Sequence, residues 1–207
     1  MKKNLLLFFL LIFKFSFGHY FSQSSPIDSL IKMKYREDQF YFGTNYVILE
    51  SKESNVQQSD FSSQINLGIL RDFPLNNNGT FAFALGFGSS YTQMKSNIDF
   101  DTGKLSLQEF NSSRFASLVI PFELRWRSSN HNVYSFWRAY FGTQIHYNFI
   151  GNIPGLKKWS NSVSLNFGYN TWNFSIGYDL SPRFNYSNNE SINNIRLFRL
   201  GLIFYLF

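Results

Sequence analysis

Eight stretches of this chain alternate with period two, and in each the two alternating sets are chemically unlike. Side chains on a strand point to opposite faces with that period, so the pattern commits the chain to strands with one apolar and one polar face. The run over 39–49 sets Phe40, Phe42, Tyr46 and Ile48 against Gln39, Tyr41, Gly43 and Asn45. The same alternation recurs over 61–70, 81–88, 117–127, 137–149, 162–169, 172–180 and 196–207. In the last run Arg196, Phe198, Leu200, Leu202, Phe204 and Leu206 oppose Leu197, Arg199, Gly201, Ile203, Tyr205 and Phe207. A long apolar strand left on an open sheet edge would template aggregation, so the final run is expected to pair with the first and close a barrel.

Alternation alone fits a soluble barrel with an apolar interior as well as a membrane barrel with an apolar exterior. Lysine separates the two. All ten lysines (2, 3, 14, 32, 34, 52, 95, 104, 157 and 158) fall outside the eight runs, so no run offers a lysine to a solvated face. The polar set is small and amide-rich, which suits a tight interior; the apolar set is bulky and aromatic, which suits lipid. Aromatics make up 20% of the chain and charged residues 15%, against roughly 25% charged in an average soluble domain. No apolar run reaches the roughly 20 residues of a membrane-spanning helix. Backbone polar groups in a bilayer must be paired, and a closed barrel pairs them without edges. The expected fold is therefore all-β: an eight-stranded antiparallel transmembrane up-and-down β-barrel over 38–207.

Residues 1–18 have the layout of a secretory signal peptide, with Lys2 and Lys3 ahead of an apolar stretch from Leu5 to Phe13. Ser16-Phe17-Gly18 supplies the small residues of a cleavage site, with cleavage after Gly18 preferred and after Ser22 as the alternative. Residues 19–37 are expected to form a short periplasmic segment, in which Ser25-Pro26 reads as a helix start. The net charge of +6 draws on Lys2, Lys3 and Lys14 in the segment expected to leave, and no basic run or RNA-binding signature follows. Nucleic acid is not an expected partner. The chain has no cysteine, which removes disulfides and thiolate metal sites.

Connections after the second, fourth and sixth runs are short (72–79, 128–132 and 170–171), whereas those after the first, third, fifth and seventh are longer (50–59, 93–109, 150–159 and 181–193). Short turns belong on the periplasmic side and long loops outside, which places both termini in the periplasm. Trp126, Trp137 and Trp172 belong to apolar sets beside short turns, and indole favours the bilayer interface, so they are expected to form a periplasmic girdle. Tyr147 and Tyr178 fall near the opposite rim.

Ser117-Leu-Val-Ile-Pro-Phe-Glu-Leu-Arg-Trp-Arg127, with its Ile-Pro step inside a middle strand, resembles the PorT-like "porin family" of outer-membrane β-barrel proteins of Gram-negative bacteria. Ile69-Leu-Arg-Asp-Phe-Pro74 and Phe136-Trp-Arg-Ala-Tyr-Phe-Gly142 extend the resemblance, which covers about 38–207. It implies an outer-membrane location, contact with outer-membrane lipid, and for some family members a link to protein secretion and gliding motility through other envelope proteins. The leader has no clear match to that of the secretion-linked members.

Pro121 cannot donate to a ladder, so a bulge or rim position is expected there. Glu123, Arg125, Arg127, Arg138, His146, Asp179 and Arg199 are expected to face the lumen. An eight-stranded barrel is just wide enough for side chains to fill, so these should form a buried polar network, with Glu123 paired to at least one arginine. His146, Asp179 and nearby serines invite a hydrolase-triad reading that no spacing supports; a hydrogen-bonding filler is the plainer role. Asp99-Phe-Asp-Thr-Gly103 has a calcium-loop look without the distal bidentate Glu, and the tip of a β-ribbon accounts for it. No cofactor or metal is expected. Phe100, Leu105 and Leu107, with Lys157, Lys158 and Trp159, form either an external partner surface or loops packed on each other. The functional expectation is a small, non-conducting barrel with a structural or interaction role, accessory to a secretion or surface-assembly complex. The competing readings are a narrow pore and a lipid-modifying enzyme.

Overall fold

The computed structural model describes residues 39–51, 55–59, 61–106, 109–128, 137–151, 153–186 and 192–206. Residues 1–18, where a signal peptide is expected, the segment 19–37, Leu107 and Phe207 lie outside the described residues. Ten strands are described: β1 (Gln39–Glu50), β2 (Ser63–Pro74), β3 (Phe81–Ser96), β4 (Ile98–Asp99), β5 (Lys104–Leu105), β6 (Asn111–Arg127), β7 (Trp137–Ile150), β8 (Trp159–Tyr169), β9 (Trp172–Asp179) and β10 (Arg196–Leu206). Eight of them close an antiparallel barrel in the order β1-β10-β9-β8-β7-β6-β3-β2, while β4 and β5 make a separate two-stranded ribbon.

The seam lies between β1 and β10, which pair from Phe40 with Leu206 to Glu50 with Arg196. The final run thus meets the first, and no open sheet edge remains in the barrel. Phe42, Leu67, Phe87, Leu124, Phe141, Phe174 and Leu200 project outward, whereas Asn45, Gln64, Ser90, Thr92, Ser162, Asn166 and Asn173 are buried inside. The aromatic face is the exterior one.

Boundaries shift where turn-forming residues disguised strand ends. β2 runs on to Pro74 before a turn over 75–80, so Asp72 is a strand residue paired with Ala84 rather than the start of a connection. β3 and β6 are 16 and 17 residues long, well beyond the roughly 9–11 needed to cross a bilayer. Their paired extension carries Lys95 in a strand, opposite Ser112 at the long-loop end. The turn between β8 and β9 is the expected pair Asn170-Thr171, with Asn170 in the left-handed region at φ 54°.

Pro121 corrects an expectation. It sits mid-strand and buried, opposite Gln144 of β7 with the register unbroken; the bulge lies at Ala116/Ser117. The effect of the missing N–H appears on the other side. The β3–β6 ladder lapses after Leu85–Phe122 and resumes in the same register at Gly88–Val119.

Candidate functional site

The lumen holds two clusters of arginine and carboxylate, one toward the short turns and one toward the long loops. In the first, Arg125 of β6 donates from Nε to Glu123 Oε2 at 2.9 Å and from Nη1 to Asp72 Oδ1 at 2.5 Å. The same Nη1 reaches Gln39 Oε1 of β1 at 3.1 Å. Arg127 binds Asp72 Oδ2 through Nη1 at 2.8 Å and donates from Nε to the carbonyl of Gly79 at 2.7 Å. Tyr140 and Tyr205 meet edge-on, with ring centroids 5.4 Å apart, and the Arg125 guanidinium lies 4.6 Å from the first centroid and 5.5 Å from the second. Arg138 is buried beside the same Tyr205 ring, at 5.8 Å. Asn166 donates to the Tyr205 hydroxyl at 3.1 Å.

In the second cluster Asp179, at the end of β9, receives Arg183 through Nε and Nη2 and Arg199 through Nη2 at 2.8 Å. Its Oδ2 also accepts the Leu197 backbone N–H at 3.3 Å. Arg183 donates from Nη1 to Ser160 Oγ at 2.7 Å, tying the loop after β9 to β8. His146 is buried with Nε2 2.9 Å from Ser162 Oγ. The carboxylate that a triad would set behind His146 is thus committed to two arginines. The contact to Ser162 links His146 on β7 to β8.

Glu123, Arg125, Arg127, Arg138, His146, Asp179 and Arg199 are all buried. Two further charged members, Asp72 and Arg183, and the aromatic members Tyr140 and Tyr205 complete the clusters. Asp72 and Arg183 sit in sequence beside Pro74 and Pro182, where prolines and polar residues signal a connection. Strict period two would have found Tyr140, because it alternates with Arg138 and Gly142.

Above the second cluster the long loops form an apolar cap. Val47, Met94, Ile98, Phe100, Phe115, Ile153, Phe184, Tyr186, Ile192, Ile195 and Leu197 are buried together, with Val56, Leu105 and Leu156 packed against them. Tyr186 is the pin. Its hydroxyl donates to the Phe100 carbonyl at 2.7 Å, and its backbone N–H goes to Asn193 Oδ1 at 2.5 Å. Its ring lies against Gly103, at φ 71°, and Gly155, and a Cβ at either would strike it. Burial, and then Asp101 and Asp99 nearby, push the Tyr186 hydroxyl up to about 12.

Of the two arrangements open for these loop residues, Phe100 and Leu105 take the second. Phe100 is buried in the cap and Leu105 is half-buried against it, so packing among the loops, not an exposed patch, is what they form. Burying Phe100, Ile98 and Phe184 together removes their apolar area from water, which favours this arrangement. Trp159 is the first residue of β8 and points outward against Tyr147, with ring centroids 4.8 Å apart. Lys158 stays exposed and Lys157 half-buried. Asp99-Phe-Asp-Thr-Gly103 turns the β4–β5 ribbon: the Asp99 carboxylate accepts from Thr102 Oγ1 at 2.5 Å and the Asp101 N–H at 3.0 Å. Those hydrogen bonds hold its carboxyl below the usual range.

Trp126, Trp137 and Trp172 project outward beside the short connections. Trp137 packs on Tyr169 at 5.3 Å and Trp172 edge-on against Phe204 at 5.7 Å.

The family model described as outer membrane protein beta-barrel domain matches residues 21–203. No match to a curated protein is found for the chain.

Proposed function

Since the chain belongs to the outer membrane protein beta-barrel domain family, we propose that it is a non-conducting barrel whose role is structural or interactive. It is a small outer-membrane β-barrel protein. The observation that carries the non-conducting reading is Arg125, which crosses the lumen from β6 to Asp72 on β2 and Gln39 on β1. Tyr140 and Tyr205 fill the section beside it, and the cap covers the other end. Ions on this path would have to displace paired buried charges, each worth several kcal/mol to desolvate. In planar bilayers the purified protein is expected to give no steady open level. A stable, voltage-independent step of fixed size would favour the narrow-pore reading.

The likeness of 117–127 to PorT-like barrels supports a finer role as an accessory of a secretion or surface-assembly complex. Co-purification from native outer membranes tests it, with a stoichiometric envelope protein as the expected result. The lumen side chains serve as structure rather than chemistry in this reading, so His146→Ala changes no lipid modification. Export by a cleaved signal peptide places the mature N-terminus at His19 or Gln23, which intact-mass measurement reads directly.

A further inference from the structure

Outward charges on the barrel strands are confined to rims, with one exception in position. Glu50, Lys95, Arg114 and Arg196 stand at the long-loop ends of their strands. Among the described barrel-strand residues, Arg71 alone stands outward in the half nearer the short turns, paired with Leu85 and just before Pro74. Beside it an apolar groove of about 500 Å³ runs along β1, β2 and β3, between Phe40, Ile69, Leu85 and Phe87.

Lipid surrounds this face, and the cost of a guanidinium there is greatest at the midplane and falls away toward the interface. Arg71 is therefore expected to stretch to the short-turn interface, the level marked by the tryptophans. A guanidinium fork matches a phosphate geometrically and in charge, and the adjoining groove offers an apolar channel to whatever hangs from that phosphate. One molecule has both parts in that order.

We propose that Arg71 with Phe40, Ile69, Leu85 and Phe87 binds a phospholipid of the inner leaflet, its phosphate on the guanidinium and one acyl chain in the groove. The test is native mass spectrometry of the folded, delipidated barrel with phosphatidylglycerol added. Diacylglycerol, which has the tails without the phosphate, and lipid A serve as the other probes. Wild type is expected to retain phosphatidylglycerol over diacylglycerol, and Arg71→Gln to lower that retention about tenfold. Arg71→Lys should keep more of it, and Ile69→Trp should lower retention by filling the groove with Arg71 intact. Heat-dependent gel mobility checks that each variant folds. Equal retention by wild type and Arg71→Gln, or by the two glycerolipids, overturns the site. Preferential retention of lipid A, or a dimer abolished by Ile69→Trp, assigns the groove to another occupant and overturns it as well.

Discussion

Arg125 on β6 reaches Asp72 on β2 past the intervening strand β3, with Nη1 2.5 Å from Oδ1. It can do so because β3 presents only Ala82 and Ala84 to the lumen at this level, and both are buried and small. The same guanidinium touches Gln39 on β1, and its planar face stands near Tyr140 on β7 and Tyr205 on β10. One side chain thus ties five of the eight barrel strands together.

Removing one partner of such a group leaves the other buried and unpaired. Arg125→Ala is expected to cost about 3–5 kcal/mol, because Asp72 and Glu123 lose a shared counter-charge. Heat-dependent gel mobility across a temperature series reads this as an earlier loss of the compact form. Arg125→Lys should recover only part of it, since a point charge cannot reach Glu123, Asp72 and Gln39 as the fork does.

Ala84→Leu tests the path rather than the charge. The added side chain occupies the space over which Arg125 passes, and overpacking costs about 1–3 kcal/mol. Leu85→Ala, one residue along on the outer face, is the control and should leave the lumen cluster intact. Equal effects from the two changes would contradict the crossing.

The cap should respond to alkaline pH through Tyr186. Its hydroxyl is pushed up to about 12 when the loop is docked, against about 10 in an exposed phenol. A raised folded-state value favours the protonated form, so docking is fully present below about pH 10 and weakens as pH rises toward 12. Protease cleavage of the loop after β9 is expected to accelerate across that window. Tyr186→Phe should flatten the dependence and lower cap stability by about 1 kcal/mol, the net worth of the bond to Phe100.

The β1–β10 seam depends on a glycine. A Cβ at Gly201 would run into the Thr44 carbonyl and the Asn45 backbone of β1, which cannot turn aside as a side chain can. Gly201→Val is expected to prevent closure, read as loss of heat-modifiable mobility. Leu200→Val on the outer face should leave it unchanged.

The barrel was legible because its signal repeats locally: every strand restates the choice between a bulky outer face and a small polar inner one. Where one residue's chemistry competed with that period, the reading failed. Asp72 lies in a stretch ending Pro74-Leu-Asn-Asn-Asn-Gly79, and Arg183 follows Ser181-Pro182, so both look like loop residues although their charges are spent in the lumen. The cap was hidden for another reason. Phe100, Ile153 and Phe184 come from three different loops, and their contact depends on which strands the barrel makes neighbours. No local pattern encodes it.

The absence of cysteine allows single nitroxide labels to be placed on the native background. The most direct measurement compares labels at Phe42, Phe174 and Leu200 with labels at Asn45 and Ser175 in bilayers, using oxygen and a nickel chelate as relaxing agents. Labels at the first three are predicted to relax with oxygen and resist the chelate, as acyl-chain contact requires, while those at Asn45 and Ser175 show no contact with lipid. Oxygen-accessible, lipid-like behaviour at Asn45 and Ser175, with chelate access at Phe42, Phe174 and Leu200, would contradict the account.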